Sequence, residues 1–350
     1  MYYNKTMVED IIEQYMEIDE KLTENSFLVT PRTGNAFSLL KNRLTEYALL
    51  PILKKREDGK ILLYLYKWNP PKRSRNWVNL ALFIATVFTT LWVGGMLARP
   101  HDFSFPGGLI YGIPFSFTLL FILGSHEFGH YFACKRLGIN ATLPYFIPVP
   151  PPSPLGTFGA VIRIKSPMEN RNALIEVGAM GPLTGLVFAI PAMVIGLLLS
   201  ETVPSSYVEK GAAIQLGNSI LSLFLTNIVI KEPSGSALLF HPVAWAAWIG
   251  MFVTAVNLLP VGQLDGGHIS FAMFSKRHKV VGWTVIGILL ILGFFSWKGF
   301  IVWAFLVSIL GVHHPPPLNM VEPLDKKHKA IGVISLVAFA LTFVPAPFKF

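Results

Sequence analysis

Apolar and polar positions divide the chain near residue 70. Before that point short apolar runs alternate with charges. Residues 8–22 carry apolar side chains at helical spacing among acids, which predicts a helix. Residues 26–30 (Ser-Phe-Leu-Val-Thr) predict a strand and 36–46 a second helix; 48–53 and 61–67 predict two strands around the turn Glu57-Asp58-Gly59. Residues 1–70 are therefore expected to form a small soluble α+β domain with a modest core. It would be either a solubilising or packing appendage or a module that receives a regulator or partner.

Beyond residue 70 the pattern is that of an α-helical polytopic membrane protein with about seven spans. They are expected near 77–98, 109–137, 173–200, 239–259, 279–297, 299–313 and 328–344. The sixth is short enough to be re-entrant or tilted. Residues 211–230 stay open between a membrane helix and an interfacial one, because Gln215, Asn218, Ser219, Ser222 and Asn227 interrupt their apolar character. The stretch 140–166 breaks the helical pattern: five prolines crowd 148–154, and 158–165 then alternates. Ala160, Ile162 and Ile164 fall on one side, and Val161, Arg163 and Lys165 on the other. This predicts an amphipathic strand in a re-entrant β-like loop. A bare strand edge is unfavourable in lipid, so this one either pairs with an unwound substrate or closes on itself as a hairpin over a cavity.

Composition agrees with the membrane reading. Apolar residues make up 52% of the chain and charged residues 14%, against roughly 25% in soluble domains. The net charge of +9 therefore reads as cytoplasmic positive charge beside membrane helices, with no nucleic acid implied. Lys67, Lys72, Arg73 and Arg75 precede the first span; Lys135, Arg136, Lys165 and Arg171 follow the second. Lys276, Arg277 and Lys279 follow the fourth, and Lys326 and Lys327 the sixth. If seven spans alternate, all these sets share one side, the N-terminus is cytoplasmic and the C-terminus lies outside. Glu9, Asp10, Glu13, Glu17, Asp19, Glu20 and Glu24 fit neither a signal peptide nor an acid-poor transit peptide. A prokaryotic plasma membrane is the expected location. The single cysteine, Cys134, excludes a disulfide framework and a Cys-rich zinc site, and is expected to pack.

The chemistry sits at the end of the second apolar run, in Ser125-His126-Glu127-Phe128-Gly129-His130. On a helix His126 and His130 share a face and can grip one metal ion, and Glu127 stands ready as general base toward water. Ionisable residues at membrane depth are costly, so function is their default explanation. A catalytic zinc usually has a third protein ligand. The best candidate is Asp265 in Asn257-Leu258-Leu259-Pro260-Val261-Gly262-Gln263-Leu264-Asp265-Gly266-Gly267-His268. Pro260 and Gly262 can break the helix there, and Gly266-Gly267 permits close backbone approach. Asp265 could equally cap the following helix, or do both.

The HExxH segment followed by the NxxPxxxLDG pattern, each on its own apolar span, resembles the site-2 protease family of intramembrane zinc metalloproteases. The resemblance covers roughly 109–275. Residues 156–166 and Gly181-Pro182-Leu183-Thr184-Gly185 are similar to the branch with chloroplast and cyanobacterial members. The resemblance implies a three-span catalytic core, one zinc per chain on His126, His130 and Asp265, Glu127 as base, and Asn257 assisting substrate or transition state. It implies an endopeptidase that cuts peptide bonds in or near transmembrane segments of membrane protein substrates. Phe158, Gly159, Ala160 and Ile162 are the expected substrate contacts. The alternatives are a membrane metal transporter or a catalytically silent adaptor, neither of which needs Glu127 beside the ligand pair. Among weaker signals, Gly181 and Gly185 suggest close helix approach, and His268 is either beside the site or an ordinary helix-start residue. Glu176 and the His313-His314 pair read as interfacial.

Overall fold

The computed structural model describes residues 5–69, 71, 74–99, 102–204, 215–230 and 236–349. Lys72 and Arg73 of the basic junction, and residues 211–214 of the undecided apolar stretch, lie outside these. The N-terminal unit runs α1 (Lys5–Tyr15), β1 (Met16–Thr23), β2 (Ser26–Pro31), α2 (Ala36–Thr45), β3 (Leu49–Lys55) and β4 (Ile61–Lys67). Its antiparallel sheet has the order β1-β2-β4-β3. Ile12, Met16, Phe27, Leu40, Leu44 and Leu63 are buried between helices and sheet. The helix expected over 8–22 stops at Tyr15. Residues from Met16 onward pair with β2, from Met16 opposite Pro31 to Thr23 opposite Ser26. Cross-strand bonding overrides the local periodicity there, and Glu17, Asp19, Glu20 and Lys21 make β1 a charged edge strand.

Among the described residues of the rest of the chain, four helical stretches are long and apolar enough to cross a bilayer: Asn76–Ala98, Gly107–Arg136, Arg171–Leu198 and Asp265–Phe295. They contain α3 (Asn76–Ala98), α4 (Ile113–Arg136), α5 (Arg171–Leu198), and the pair α8 (Asp265–Phe274) and α9 (His278–Phe295). The ten-residue α6 (Ile220–Val229) is too short for the roughly 20 residues that a span needs. α7 (Pro242–Asn257), α10 (Gly299–Leu310) and α11 (Lys326–Thr342) are also shorter than a full span. α7 is apolar on every side because it is an interior helix: Trp248, Ile249 and Met251 are buried against its neighbours, chiefly α4 and α5. On α4, by contrast, Phe117, Phe121, Phe128 and Phe132 form an exposed aromatic stripe. Water would disfavour such a stripe; lipid accepts it as the outer face. Phe128 of the HExxH segment thus points away from the histidines.

Residues 140–166 fold as a hairpin rather than a lone strand. β5 (Tyr145–Pro148) pairs antiparallel with β6 (Thr157–Val161), and an isolated bridge joins Ala141 to Ile164. The expected strand over 158–165 is regular only to Val161. Buried polar groups of α3 pin the hairpin: Asn79 donates to Leu143 O at 2.8 Å and Pro144 O at 3.0 Å, and Thr89 to Gly156 O at 2.6 Å. With no hydrophobic drive between helices in lipid, such bonds carry much of the specificity.

Glu176, read above as interfacial, is buried on α5. It pairs with Arg136 of α4 at 2.5 Å and lies 3.4 Å from His328 of α11. Its carboxylate is buried where three helices converge, while its partner Arg136 stays exposed. The N-terminal unit rests against this same end of the helices. Lys41 and Ser38 bond Glu169, and residues 318–320 run along the β3 edge. There Leu53 N–H donates to Leu318 O at 2.7 Å and Met320 N–H to Leu53 O at 3.1 Å.

Candidate metal centre

α4 is unbroken through residues 126–130, so the i,i+4 pair lies on one face, as its spacing predicts. His126, Glu127 and His130 are all buried. Asp265 reaches them from the start of α8. The tight turn 258–264 brings it there, and Gly266 packs against the carbonyls of Leu258 and Leu259 where a Cβ would not fit. Asp265 is the first residue of α8 and Leu264 is its N-cap. The capping role open in the sequence is therefore not the one adopted, and the carboxylate points at the imidazoles instead.

Three donor atoms converge. His126 Nε2, His130 Nε2 and Asp265 Oδ2 form a triangle with sides of 3.2, 3.2 and 3.2 Å. Donors about 2.0–2.1 Å from a tetrahedral zinc would be spaced about 3.3 Å apart. The set of two imidazoles and one carboxylate matches a catalytic rather than a structural zinc site. Glu127 stands just outside the triangle, with Oε1 3.9 Å from His126 Nε2. Although its carboxylate lies near both imidazoles, Asp265 completes the equal-sided arrangement. Asn257, the last residue of α7, places Nδ2 3.3 Å from His126 Nε2.

Features not read from the sequence orient the imidazoles. His130 Nδ1–H donates to Val177 O on α5 at 2.7 Å, which leaves the Nε2 lone pair for the triangle. Gly181, one turn further along α5, seats the His130 ring: a Cβ there would overlap Nε2, Cδ2 and Cε1. Gly185, another turn on, faces His126, with an added Cβ 3.3 Å from Nδ1. The Gly181/Gly185 spacing does bring helices close, but its specific product is a bed for two imidazoles.

A cavity of about 190 Å³ opens beside the triangle. Its walls include Ala160, Val161, Ile162 and Ile164 of the hairpin, Asn257, Gln263, and His268 of α8. Ala160 and Ile162 thus face the site. Phe158 and Gly159 lie outside the lining, and Phe158 is 74% exposed. The backbone N–H of Ile162 faces the Glu127 carboxylate. His314, read above as part of an interfacial loop, is buried with its ring against His268.

Comparison with known proteins agrees with this arrangement. The chain is 32% identical over 234 residues to "Probable zinc metalloprotease EGY2, chloroplastic" of Oryza sativa subsp. indica, covering 65% of this chain and 42% of that protein. It is 30% identical over 244 residues to "Probable zinc metalloprotease EGY1, chloroplastic" of Arabidopsis thaliana, covering 67% and 43% respectively. The chain therefore spans less than half the length of these relatives. No solved structure matches it. Residues 114–296, from the second residue of α4 to just past α9, match peptidase family M50. That match takes in both halves of the metal centre and more than half of the chain, which belongs to peptidase family M50, the site-2 protease family of membrane metalloproteases.

Proposed function

We propose that the protein is an intramembrane zinc endopeptidase acting on peptide bonds in or near transmembrane segments of membrane protein substrates. The observation that carries this reading is the 3.2 Å triangle of His126, His130 and Asp265 with buried Glu127 beside it. These three residues would hold one zinc per chain. Bound zinc would supply Lewis acidity toward water and the peptide carbonyl. Glu127 takes the proton from water as the water oxygen bonds to the carbonyl carbon. It returns that proton to the amine nitrogen as the C–N bond breaks. Asn257 offers its amide N–H to the developing oxyanion. The cavity of about 190 Å³ has room for several waters, at about 30 Å³ each in the liquid. A transporter or silent adaptor has no comparable use for Glu127.

The test is purified protein assayed for zinc content and for cleavage of a membrane-spanning peptide. We expect one zinc per chain, cleavage lost to a chelator and restored by zinc, and zinc lost in a folded Asp265→Ala variant. Full zinc retention by that variant would remove Asp265 from the ligand set.

A helical substrate hides its peptide bonds and must unwind before hydrolysis. β6 and residues 162–164 could receive the unwound segment by main-chain pairing, since β5 takes only one edge of the hairpin strand. Leaving freed backbone groups bare in a lipid-like setting costs several kcal/mol each. In a Glu127→Gln background, we expect Ile162→Cys to crosslink to a thiol near the scissile bond of the substrate. Crosslinks confined to Met180→Cys on α5 would sink strand pairing.

The same reading includes seven spans, with α4, α5 and α7 as the catalytic core and the hairpin as a re-entrant element. The N-terminal unit is proposed to lie on the cytoplasmic face, where a regulator could reach it. Its contacts fall at the end of α4 and α5 that carries Lys135, Arg136 and Arg171. In sealed right-side-out vesicles, a tag on residue 1 should resist protease until lysis; digestion without lysis would reverse the orientation. A prokaryotic plasma membrane finds no support among the matched relatives, which are named as chloroplastic.

A further inference from the structure

One pair of histidines, buried His314 and half-buried His268, is left unused by this chemistry. His268 Nδ1 lies 2.6 Å from His314 Nε2 across 46 residues of sequence. His314 Nδ1 lies 2.7 Å from the carbonyl of Pro315. A carbonyl only accepts, so His314 carries its proton on Nδ1 and presents an Nε2 lone pair. Burial pushes the His314 imidazole down to about 3, so the ring is neutral. The Nδ1–H of His268 must then donate to it, which leaves Nε2 of the neutral His268 ring as an acceptor. Among the described residues Nε2 has no protein partner, and it is not one of the buried atoms cut off from solvent. It lies on the ring edge away from His314, on a side chain that lines the cavity.

His314 is firmly held. Phe271 stacks on its ring at 4.7 Å. The segment that carries it continues to Leu318 and Asn319, whose N–H groups donate to Met168 O at 3.0 Å and Glu169 O at 2.7 Å. The pair is therefore built into the fold rather than a chance meeting of side chains.

A substrate strand paired along one edge with residues 160–164 turns alternate N–H groups toward the opposite edge. Those groups need acceptors, which in the cavity wall only polar side chains such as His268, Gln263 and Asn257 can offer. We propose that His268 Nε2 accepts a main-chain N–H from the far edge of the unwound substrate, and that His314 is the positioning residue that fixes His268 in the accepting tautomer. This inference rests on the proteolytic reading above.

The experiment measures binding of a membrane-spanning peptide to full-length, zinc-loaded Glu127→Gln protein, with zinc content checked in every variant. Adding His314→Phe should weaken binding about tenfold, the size of one lost buried hydrogen bond. Adding His314→Gln, whose side-chain oxygen still accepts from His268, should recover most of it. An ester scan of the peptide, removing one N–H at a time, should find a position whose loss is about tenfold in the parent and absent in the His314→Phe protein. A purely structural role would give the same ester losses in both proteins, which would overturn the proposal. Equal binding by His314→Phe and its parent would overturn it too. No peptide binding by the parent would overturn this inference together with the proteolytic reading, whereas parental binding with additive ester losses would overturn this inference alone.

Discussion

Replacing Glu127 with Gln should leave a folded, zinc-loaded protein that no longer cleaves. The carboxylate is buried, and its Oε1 stands 3.9 Å from His126 Nε2, close to the triangle without completing it. Gln has the same shape, can still accept from the facing N–H of Ile162, and leaves His126, His130 and Asp265 untouched. What it loses is basicity. It cannot take the proton of water or return one to the departing amine, a contribution of roughly 10²–10⁴ in rate. Zinc content, thermal unfolding and single-turnover cleavage, measured on one preparation, check this. Turnover within tenfold of the parent would exclude Glu127 as the base. Loss of zinc along with activity would instead move Glu127 into the ligand set, the alternative that its closeness to both imidazoles raises.

What could be read beforehand follows the range of the interactions involved. The approach of His126 and His130 is fixed by four residues of helix, so the sequence determines it directly. Bringing Asp265 to them requires a turn at 258–264 and a glycine at 266. Both are local signals, yet they left the choice between helix cap and ligand open until the starting point of α8 was known. The hairpin was legible only as one of two readings of the prolines and alternation. Its anchoring by Asn79 and Thr89 was not, because a lone Asn in an apolar span does not announce its partner. The failures are long-range in the same sense. Met16 to Thr23 continues a helical pattern until β2 pairs with it. Glu176 looks like a lone carboxylate until the fold brings Arg136, itself exposed, and His328 beside it. Adjacent His313 and His314 read as an interfacial loop because nothing local shows that His314 turns inward to His268. The α7 segment is apolar on every side because protein surrounds it, so uniform apolarity alone does not separate an interior helix from a lipid-facing one.

Gly181→Ala should cost the protein its metal. In an isolated helix this change is favourable by about 1 kcal/mol, so any loss must come from what the methyl group meets. Here it meets the His130 ring at Nε2, Cδ2 and Cε1 together, and Nε2 is one corner of the 3.2 Å triangle. Val177, one turn earlier on the same helix, accepts the His130 Nδ1 proton at 2.7 Å. The ring therefore cannot slide away from position 181 while keeping its bond to position 177. Either α4 and α5 part, or the imidazole turns and gives up both its orientation and its place in the triangle. Disturbing the groups that orient a metal-bound histidine typically lowers metal affinity by 10–100-fold, and a displaced ligand atom should reach at least that range. Gly185→Ala is the matched control. Its methyl would lie 3.3 Å from His126 Cβ and Nδ1, a contact relieved by a shift of a few tenths of an ångström, so zinc retention and most activity should survive. Both variants are compared for zinc affinity against a buffered competitor, with helical content and thermal unfolding measured alongside. If Gly181→Ala binds zinc as the parent does, the small residues of α5 serve helix packing alone. If both variants lose zinc equally, the seat is not specific to His130. Loss confined to Gly181→Ala in a folded protein is the result that the close fit of ring to helix requires.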